Sequence, residues 1–198
     1  MWLYAAAIRE AGASKMAMHR RQNRQILLAI PNLRFSMYLG LISDTHGETT
    51  LTRRAAEVFR RFDVGCVLHC GDIGNGEVVR ALRGLPVHYV FGNCDGGGSQ
   101  ADLRMVIEEN HQHVHGMFGR IEREGKRIFF LHGHQAERFA AEVESQEWDM
   151  ICYGHTHVRQ VHIDHGTLLV NPGALYRVAR ASVIIVELPG MNITPVLL

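Results

Sequence analysis

The chain has 198 residues, of which 46% are hydrophobic, enough for one domain with a complete core. Its formal net charge of +1 excludes a protein that binds nucleic acid through bulk positive charge, and its 21% of charged residues exclude a disordered chain. No apolar run approaches the ~20 residues needed to cross a bilayer, so we expect a soluble protein that does not act at a membrane.

The N-terminal segment differs in charge from the rest of the chain. Residues 1–36 contain six basic residues and one acidic residue, whereas residues 37–198 contain 15 basic and 19 acidic residues. We therefore predict a basic N-terminal extension over 1–36 and a single domain over 37–198. The extension is interpreted as a tail or as translation from an upstream start, with Met37 as the functional beginning. A weak transit peptide is the alternative, because the segment is rich in arginine and nearly free of acidic residues.

From Met37 onward, short apolar runs alternate with amphipathic stretches. The runs predict strands at 38–42, 64–70, 87–91, 128–131 and 150–153. Apolar residues at helical spacing predict helices over 49–62, near 76–84 and near 136–147. Strand and helix in succession indicate a layered α/β fold. After residue 157 the pattern changes to strands with short turns, which predicts a second sheet; these strands cover 158–163, 167–170, 182–188 and 191–198.

Each of the five apolar runs before residue 157 is followed by side chains that bind metals. These are Asp44-Thr45-His46, Gly71-Asp72, Gly92-Asn93, His132-Gly133-His134 and Gly154-His155-Thr156-His157. In an open α/β sheet, ligands bind at the carboxyl ends of the strands, and glycine there lets the backbone approach a ligand closely. The alternative is that these residues are ordinary turn formers, but this would require the same coincidence five times in order.

The donor set predicts two cations. Two carboxylates, one amide oxygen and four imidazoles exceed the needs of one tetrahedral zinc, and they suit two divalent ions that share a carboxylate. Oxygen and nitrogen donors without thiolate favour Mn²⁺, Fe, Zn²⁺ or Co²⁺ over Ca²⁺ or Mg²⁺. Two such ions outweigh the charge of the carboxylates and of a bridging hydroxide, so the site attracts an anion such as a phosphate ester.

This ordered pattern resembles the calcineurin-like metallophosphoesterase superfamily. The family sequence DxH, GD, GNxD/E, H, GHxH stands here as Asp44-Thr45-His46, Gly71-Asp72, Gly92-Asn93-Cys94-Asp95, His132 and Gly154-His155-Thr156-His157. The resemblance covers about residues 37–188 and is strongest to the small bacterial and archaeal phosphodiesterases, whose typical loop matches Asn171-Pro172-Gly173. It implies an α/β fold, a four-layer α/β/β/α sandwich of two mixed sheets.

The resemblance also implies roles for the ligands. Asp44, His46 and His157 would hold one metal, and Asn93, His132 and His155 the other. Asp72 would bridge the two, and the attacking group would be a metal-bridging hydroxide. We expect two divalent ions, with Mn²⁺ as the first choice and Fe, Zn²⁺, Co²⁺ or Ni²⁺ as alternatives. The expected partner is a small or exposed phosphodiester, because no long insertion between the motifs provides a cap.

Cys94 departs from the pattern of many family members, which carry histidine directly after the asparagine. A thiol is a poor general acid for an alkoxide, and a positioned acid contributes ~10²–10⁴-fold. We therefore expect a preference for diesters and for good leaving groups. Cys94 as a nucleophile is the disfavoured alternative, since a metal-bound hydroxide fills that role. The candidate catalytic residues are Asp72, Asn93, Cys94, Asp95 and His134, the last two as groups that orient a ligand or contact phosphate.

Other histidines and arginines have simpler interpretations. His111, His113 and His115 alternate as on one face of a solvated strand, while His69 and His88 lie in apolar runs and are expected in the core or behind the ligands. Arg177 and Arg180 follow the Asn-Pro-Gly loop; they are expected to be surface charges, with a phosphate clamp as the alternative.

The cysteines other than Cys94 indicate the cellular compartment. Cys66 and Cys70 are four apart in a strand-like run, so they share one face of a strand and do not form a metal knuckle; Cys152 lies in another apolar run. Reduced, buried thiols are typical of the cytoplasm, which is the predicted location.

The leading hypothesis is a binuclear-metal phosphodiesterase. The alternatives are a catalytically weak protein-binding scaffold on the same fold, as in a retromer subunit, and a phosphomonoesterase. A nuclease is disfavoured because residues 37–198 are net acidic and lack alternating basic and aromatic residues. The sequence leaves open whether the protein forms a homo-oligomer.

Overall fold

The computed structural model describes residues 36–96 and 99–198, so the predicted extension lies outside the described residues except for Ser36. Within them, the helices are α1 (Thr49–Arg61), α2 (Gly76–Ala81), α3 (Ser99–Glu109) and α4 (Ala136–Glu144), with a 3₁₀ turn at Asn93–Asp95. The strands are β1 (Met37–Ile42), β2 (Cys66–His69), β3 (Val87–Tyr89), β4 (His113–Val114), β5 (Phe118–Arg123), β6 (Lys126–Leu131), β7 (Met150–Cys152), β8 (Gln160–Asp164), β9 (Thr167–Asn171), β10 (Ser182–Leu188) and β11 (Asn192–Leu197).

The strands form two mixed sheets that pack face to face. The first has the order β11-β10-β1-β2-β3-β4, in which β1 to β4 run parallel and β10 runs antiparallel to both of its neighbours, β1 and β11. The second has the order β5-β6-β7-β9-β8, with β6, β7 and β9 parallel. Leu39, Leu68 and Phe130 belong to the core between the sheets. This arrangement confirms the predicted two-sheet α/β fold, but the predicted make-up of the second sheet is wrong. Strands β10 and β11 extend the first sheet beside β1, and β6 and β7 join β8 and β9 in the second.

Each sheet also has a helical layer on its outer face. Phe59 of α1 and Ile107 of α3 pack with Tyr89 in one core, and Val143 of α4 packs against Phe129 in another. The strands in the middle of the sheets are therefore covered on both sides, which is why they read as continuous apolar runs. The layers follow the order helix, sheet, sheet, helix, as predicted.

The sequence predictions differ from the structure mainly at two sheet edges, since β4 is the edge strand of the first sheet and β5 that of the second. The segment 99–127 was assigned no helix or strand apart from its histidine tract, yet it contains α3, β4 and β5. β5 is an edge strand with only Gly119 fully buried, so it has no apolar run. Helices α1, α2 and α4 end one to three residues before the predicted 62, 84 and 147.

The carboxyl ends of β1, β2, β3, β6 and β7 bring five loops together. The Asp44 amide donates to the Gly71 carbonyl at 3.1 Å, and the Gly154 amide donates to the His132 carbonyl at 3.0 Å. These bonds join loops within each sheet at the edge where ligands bind in α/β folds. In the described part of the chain, no helix has the length and apolar character needed to span a membrane.

Candidate metal centre

Donor atoms from all five loops converge at this edge. Three groups of side chains each place one donor atom per residue within 4.8 Å of the others. They are Asp44 with His46 and His157; Asp44 with Asp72 and His132; and His46 with Asp72 and Cys94. The groups overlap through the two aspartates, so the cluster is one continuous site.

Asp72 lies at the middle of the cluster. Its Oδ2 atom is 3.4 Å from His46 Nε2 and 3.2 Å from His132 Nε2, while its Oδ1 accepts a hydrogen bond from the Cys94 amide at 2.8 Å. Burial alone would raise the pKa of Asp72, but His132 and the Cys94 amide outweigh burial and hold it well below its usual range. The carboxylate is therefore ionised, with one oxygen fixed by backbone and the other facing two imidazoles.

Asp44 is fully buried and occupies one side of the cluster. Its carboxylate accepts the His155 amide at 3.1 Å, and its Oδ1 lies 3.3 Å from His157 Nε2. Burial raises the pKa of Asp44, against the opposing effect of a Ser43 hydrogen bond and of the nearby imidazoles. A buried carboxylate among histidines is the usual environment of a metal ligand.

His132 provides a test of whether these residues fit a cation. Its Nδ1 bonds to the Cys70 carbonyl at 2.9 Å, which fixes the ring, and its buried Nε2 has no hydrogen-bond partner among the described residues. Burial lowers the pKa of His132, but Asp72 and Asp44 outweigh burial and the net shift is upward. An orphaned imidazole nitrogen aimed between two carboxylates is a donor set that suits a divalent ion.

The backbone at the cluster is strained. Asp44, His46, Asp72, His155 and His157 all have positive φ, between 41° and 68°. Such conformations cost of order 1–3 kcal/mol each for residues other than glycine, and they persist where surrounding structure enforces them. Their concentration at five of the seven predicted ligands supports a functional role for this edge of the sheets.

Two glycines allow the loops to approach the carboxylates. A Cβ atom at Gly92 would collide with the Asp72 carboxylate, and one at Gly154 would collide with Ser43 and the Asp44 carboxylate. Any larger residue at either position would therefore displace a ligand loop. This explains why glycine stands next to the predicted ligands in the sequence.

Asp95 joins two of the ligand loops through hydrogen bonds to their backbone amides. It is 1% exposed, and its carboxylate accepts hydrogen bonds from the amides of Ile73, Gly74 and Gly92 at 2.8 to 3.0 Å. The first two amides follow Asp72 and the third precedes Asn93. Asp95 therefore ties together the two loops that carry these predicted ligands.

His69 lies directly behind the cluster and is fully buried. The Gly71 amide donates to its Nδ1 at 3.3 Å, so its Nε2 carries the proton and donates to Thr45 Oγ1 at 2.9 Å. Thr45 in turn donates to the Ile73 carbonyl at 3.0 Å. This chain ties the Asp44 loop to the Asp72 loop, and burial lowers the pKa of His69 to about 3.

We expect His69 to make folding stability depend on pH. The folded state keeps it neutral, while the unfolded state binds a proton at its ordinary pKa of 6.5. Stability is therefore full above pH 6.5 and is lost as the pH falls, by about 2 kcal/mol at pH 5. Urea unfolding of metal-free wild type and His69→Gln at pH 7.5 and 5.0 measures this difference. An equal pH dependence in both proteins would contradict the assignment.

The remaining predicted residues lie at the rim of the cluster. The His155 ring contacts the His132 ring edge to face, with centroids 5.1 Å apart, and the His134 ring lies 5.5 Å from His132. Asn93 is exposed, and its Nδ2 donates to Cys94 Sγ at 3.4 Å. Burial and the nearby Asp72 raise the pKa of Cys94 to about 11, so the thiol is protonated at neutral pH. A protonated thiol is a weak nucleophile.

Several residues of the site carry little signal in the sequence. The Leu175 and Tyr176 amides donate to the Asp44 carbonyl, and the Tyr176 ring lies 5.2 Å from the His46 ring. The Arg177 guanidinium lies over the Tyr176 ring, 4.9 Å from the ring centroid. The adjacent Asn-Pro-Gly motif was the available clue to this loop, but not to its contacts.

The histidine tract forms a separate group away from the cluster. Only His113 lies in a strand, and its ring stacks on His88 at 4.7 Å. His115 Nε2 lies 2.8 Å from His88 Nδ1. His88 is half-buried between the sheets, as its apolar surroundings suggested, while His111 and His113 are exposed.

The fold and the donor cluster define a phosphoesterase of the metal-dependent type. The sequence matches the calcineurin-like phosphoesterase superfamily domain over residues 37–190. The chain therefore belongs to this superfamily and is a hydrolase of phosphate esters.

Two relatives are similar in sequence to this chain. The phosphodiesterase MJ0936 of Methanocaldococcus jannaschii is 30% identical over 140 residues, which cover 69% of this chain and 83% of the relative. The probable metallophosphoesterase YsnB of Bacillus subtilis is 30% identical over 146 residues, covering 68% and 73%.

Solved structures agree with this assignment. A novel archaeal phosphodiesterase superposes with a TM-score of 0.75 at 26% identity, covering 82% of this chain and all of the other. Vps29 of Entamoeba histolytica superposes with a TM-score of 0.54 at 19% identity, covering 82% and 99%, which shows the shared fold alone.

Proposed function

We propose that this protein is a binuclear-metal phosphodiesterase that hydrolyses small or exposed phosphodiesters. The observation that carries the proposal is the position of Asp72 Oδ2, within 3.4 Å of both His46 Nε2 and His132 Nε2. A carboxylate oxygen between two imidazoles from different sheets is placed to be shared by two cations. The phosphodiesterase name of the archaeal relative supports the substrate class.

The geometry supports the first half of the ligand assignment, and the family pattern supports the second. Asp44, His46 and His157 would hold one ion, since their donor atoms lie within 4.8 Å of one another. Asn93, His132 and His155 would hold the other, with Asp72 between them. The ions themselves are proposed to be Mn²⁺ in preference to Fe, Zn²⁺, Co²⁺ or Ni²⁺. The proposed cellular location is the cytoplasm.

Bound ions of this kind supply Lewis acidity, which activates a water and neutralises charge on the phosphoryl oxygens. The chain's own residues position that chemistry. The Cys94 amide holds Asp72 Oδ1, the His155 amide holds the Asp44 carboxylate, and the Cys70 carbonyl fixes the His132 ring. These preset orientations reduce the reorganisation needed when a phosphodiester binds.

His134 is placed to contact the phosphate or the leaving group. Its ring stands 6.2 Å from His155 and its Nδ1 is buried without a hydrogen-bond partner among the described residues. Burial, and then the charges of His132 and His155, lower the pKa of His134. A neutral imidazole at this rim would donate a hydrogen bond to a phosphoryl oxygen, but it would not carry the acidic proton that a general acid gives to a leaving group.

The experiment that tests this function is an assay of purified protein with bis(p-nitrophenyl) phosphate and p-nitrophenyl phosphate. We expect faster hydrolysis of the diester in Mn²⁺, loss of activity after chelation and recovery when the ion is restored. His155→Gln, assayed in parallel, guards against a contaminating hydrolase and should be nearly inactive. Full activity in that variant would reveal a contaminant, and inactivity with every divalent ion would favour the scaffold hypothesis.

Replacement of Cys94 by histidine is expected to increase hydrolysis of p-nitrophenyl phosphate by roughly tenfold or more, the low end of what a positioned acid contributes. Cys94 is exposed at the rim, so an imidazole fits there without repacking. Steady-state rates with both aryl esters measure the change, and Cys94→Ser controls for loss of the thiol. Unchanged monoester hydrolysis in Cys94→His would show that Cys94 does not set the substrate preference.

A further inference from the structure

A groove of about 350 Å³ opens directly beside the ligand cluster. It begins at the ligand His157 and continues along Arg159 and Arg180, with Val158 and Val178 as apolar lining. We call it the arginine groove. Because it starts at a proposed metal ligand, a molecule whose phosphate occupies the cluster would extend an ester arm into it.

A buried polar network shapes the arginine groove. The Asn171 side chain donates to the Gly154 carbonyl at 2.9 Å and to Thr156 Oγ1 at 3.1 Å, and it accepts the Gly173 amide at 2.9 Å. Asn171 is fully buried. It therefore ties the loop that carries His155 and His157 to the loop that forms the opposite wall, and both walls keep a fixed position relative to the ligands.

The charge of the arginine groove is opposite to that of its domain. Residues 37–198 are net acidic, yet residues 154–182 contain three arginines and a single acidic residue, Asp164. Among the residues that line the groove there is no carboxylate. Within the described ranges, neither Arg159 nor Arg180 forms an ion pair, so both guanidinium groups are available to an anion.

We propose that the arginine groove binds an anionic group on the second ester arm of the substrate, so that preferred phosphodiesters carry a further carboxylate or phosphate. Two residues span at most about 7 Å, so Arg159 lies within reach of an arm of a few atoms that starts at His157. The proposal rests on the proposed function, because the cluster must hold the scissile phosphate. It concerns a second anion, and it gives Arg180 a role other than surface charge.

A matched pair of substrates tests the proposal. These are the p-nitrophenyl phosphodiesters with a 3-carboxypropyl arm or with its uncharged isostere, a 3-carbamoylpropyl arm. In wild type with Mn²⁺ we expect kcat/KM to be about tenfold higher for the carboxylate, as one charge-assisted contact provides. In Arg159→Gln/Arg180→Gln the ratio should fall to about one through KM, with kcat for the carboxamide unchanged.

Binding measured without turnover provides a second readout. Isothermal titration with 4-phosphonobutyrate and 4-phosphonobutyramide should show about tenfold tighter binding of the carboxylate in wild type. In the double variant the two dissociation constants should be about equal. Arg53→Gln/Arg83→Gln removes two exposed arginines from the helical layer and controls for general electrostatics. It should keep the wild-type ratio.

The outcomes separate this inference from the proposed function. Equal hydrolysis of both esters by wild type, or a tenfold ratio that survives in Arg159→Gln/Arg180→Gln, would overturn the anion subsite and leave the phosphodiesterase in place. Loss of the ratio in the control variant would also overturn it. If neither ester is hydrolysed, the proposed function fails and the inference fails with it.

Discussion

Asp72→Asn is expected to reduce hydrolysis of bis(p-nitrophenyl) phosphate by roughly 10³-fold, the upper end of what loss of one preorganised electrostatic group costs. Asparagine keeps the shape of the side chain but removes the charge. It can also turn an NH₂ group toward the orphaned Nε2 of His132, where the oxygen now lies 3.2 Å away. The shared oxygen would be lost, so metal bound per chain should fall from two ions to one or fewer.

Metal content after dialysis and the steady-state rate measure this prediction together. Asp164→Asn on the exposed strand β8 is a matched control with the same change in charge, and it should retain both metals and full activity. If Asp72→Asn kept two tightly bound ions, Asp72 could not be the shared ligand.

Asp95→Ala is expected to lower the free energy of unfolding of the metal-free protein by about 3 kcal/mol. Its carboxylate accepts hydrogen bonds from three amides. One hydrogen bond to a charged group contributes ~1.5–3 kcal/mol, and bonds that share one carboxylate are not additive. Alanine would leave the amides of Ile73, Gly74 and Gly92 without this acceptor, and the loops on either side of Asp72 and Asn93 would separate. Metal affinity should therefore fall as well, by ~10–100-fold.

Urea unfolding and metal titration of the same preparations provide the two measurements. Asp95→Asn retains one acceptor oxygen and should show an intermediate loss, whereas Asp164→Ala at the exposed edge should change neither quantity. A stability of Asp95→Ala within about 0.5 kcal/mol of wild type, the range of ordinary surface substitutions, would show that these hydrogen bonds do not hold the loops.

The two-sheet fold and the convergence of the donors could be predicted because both depend on local patterns. A strand covered on both faces must be apolar along its length, and a parallel sheet brings the ends of its strands to one edge. Asp44, His46, Asp72 and His132 come together for this reason. The position of each of these residues directly after an apolar run was therefore sufficient to predict that they meet at one edge.

The contacts that hold the ligands could not be predicted, because they join residues distant in sequence. Asp95 bonds amides that lie 21 and 22 residues earlier, and Asn171 bonds the loop 15 and 17 residues before it. Arg159 gave no signal in the sequence, since its proposed role depends on the fold placing it in the same groove as Arg180. Strand β5 was missed because little of it is buried, whereas α3 was missed although three of its apolar residues are buried.

Anomalous diffraction from crystals of the Mn²⁺-loaded protein is the most direct test of the central claim. The account predicts two peaks on either side of the Asp72 carboxylate, about 3.5–4 Å apart, as in other two-metal sites. One peak should contact Asp44, His46 and His157, and the other Asn93, His132 and His155. A single ion at the cluster, or ions bound only elsewhere on the protein, would contradict a shared binuclear centre.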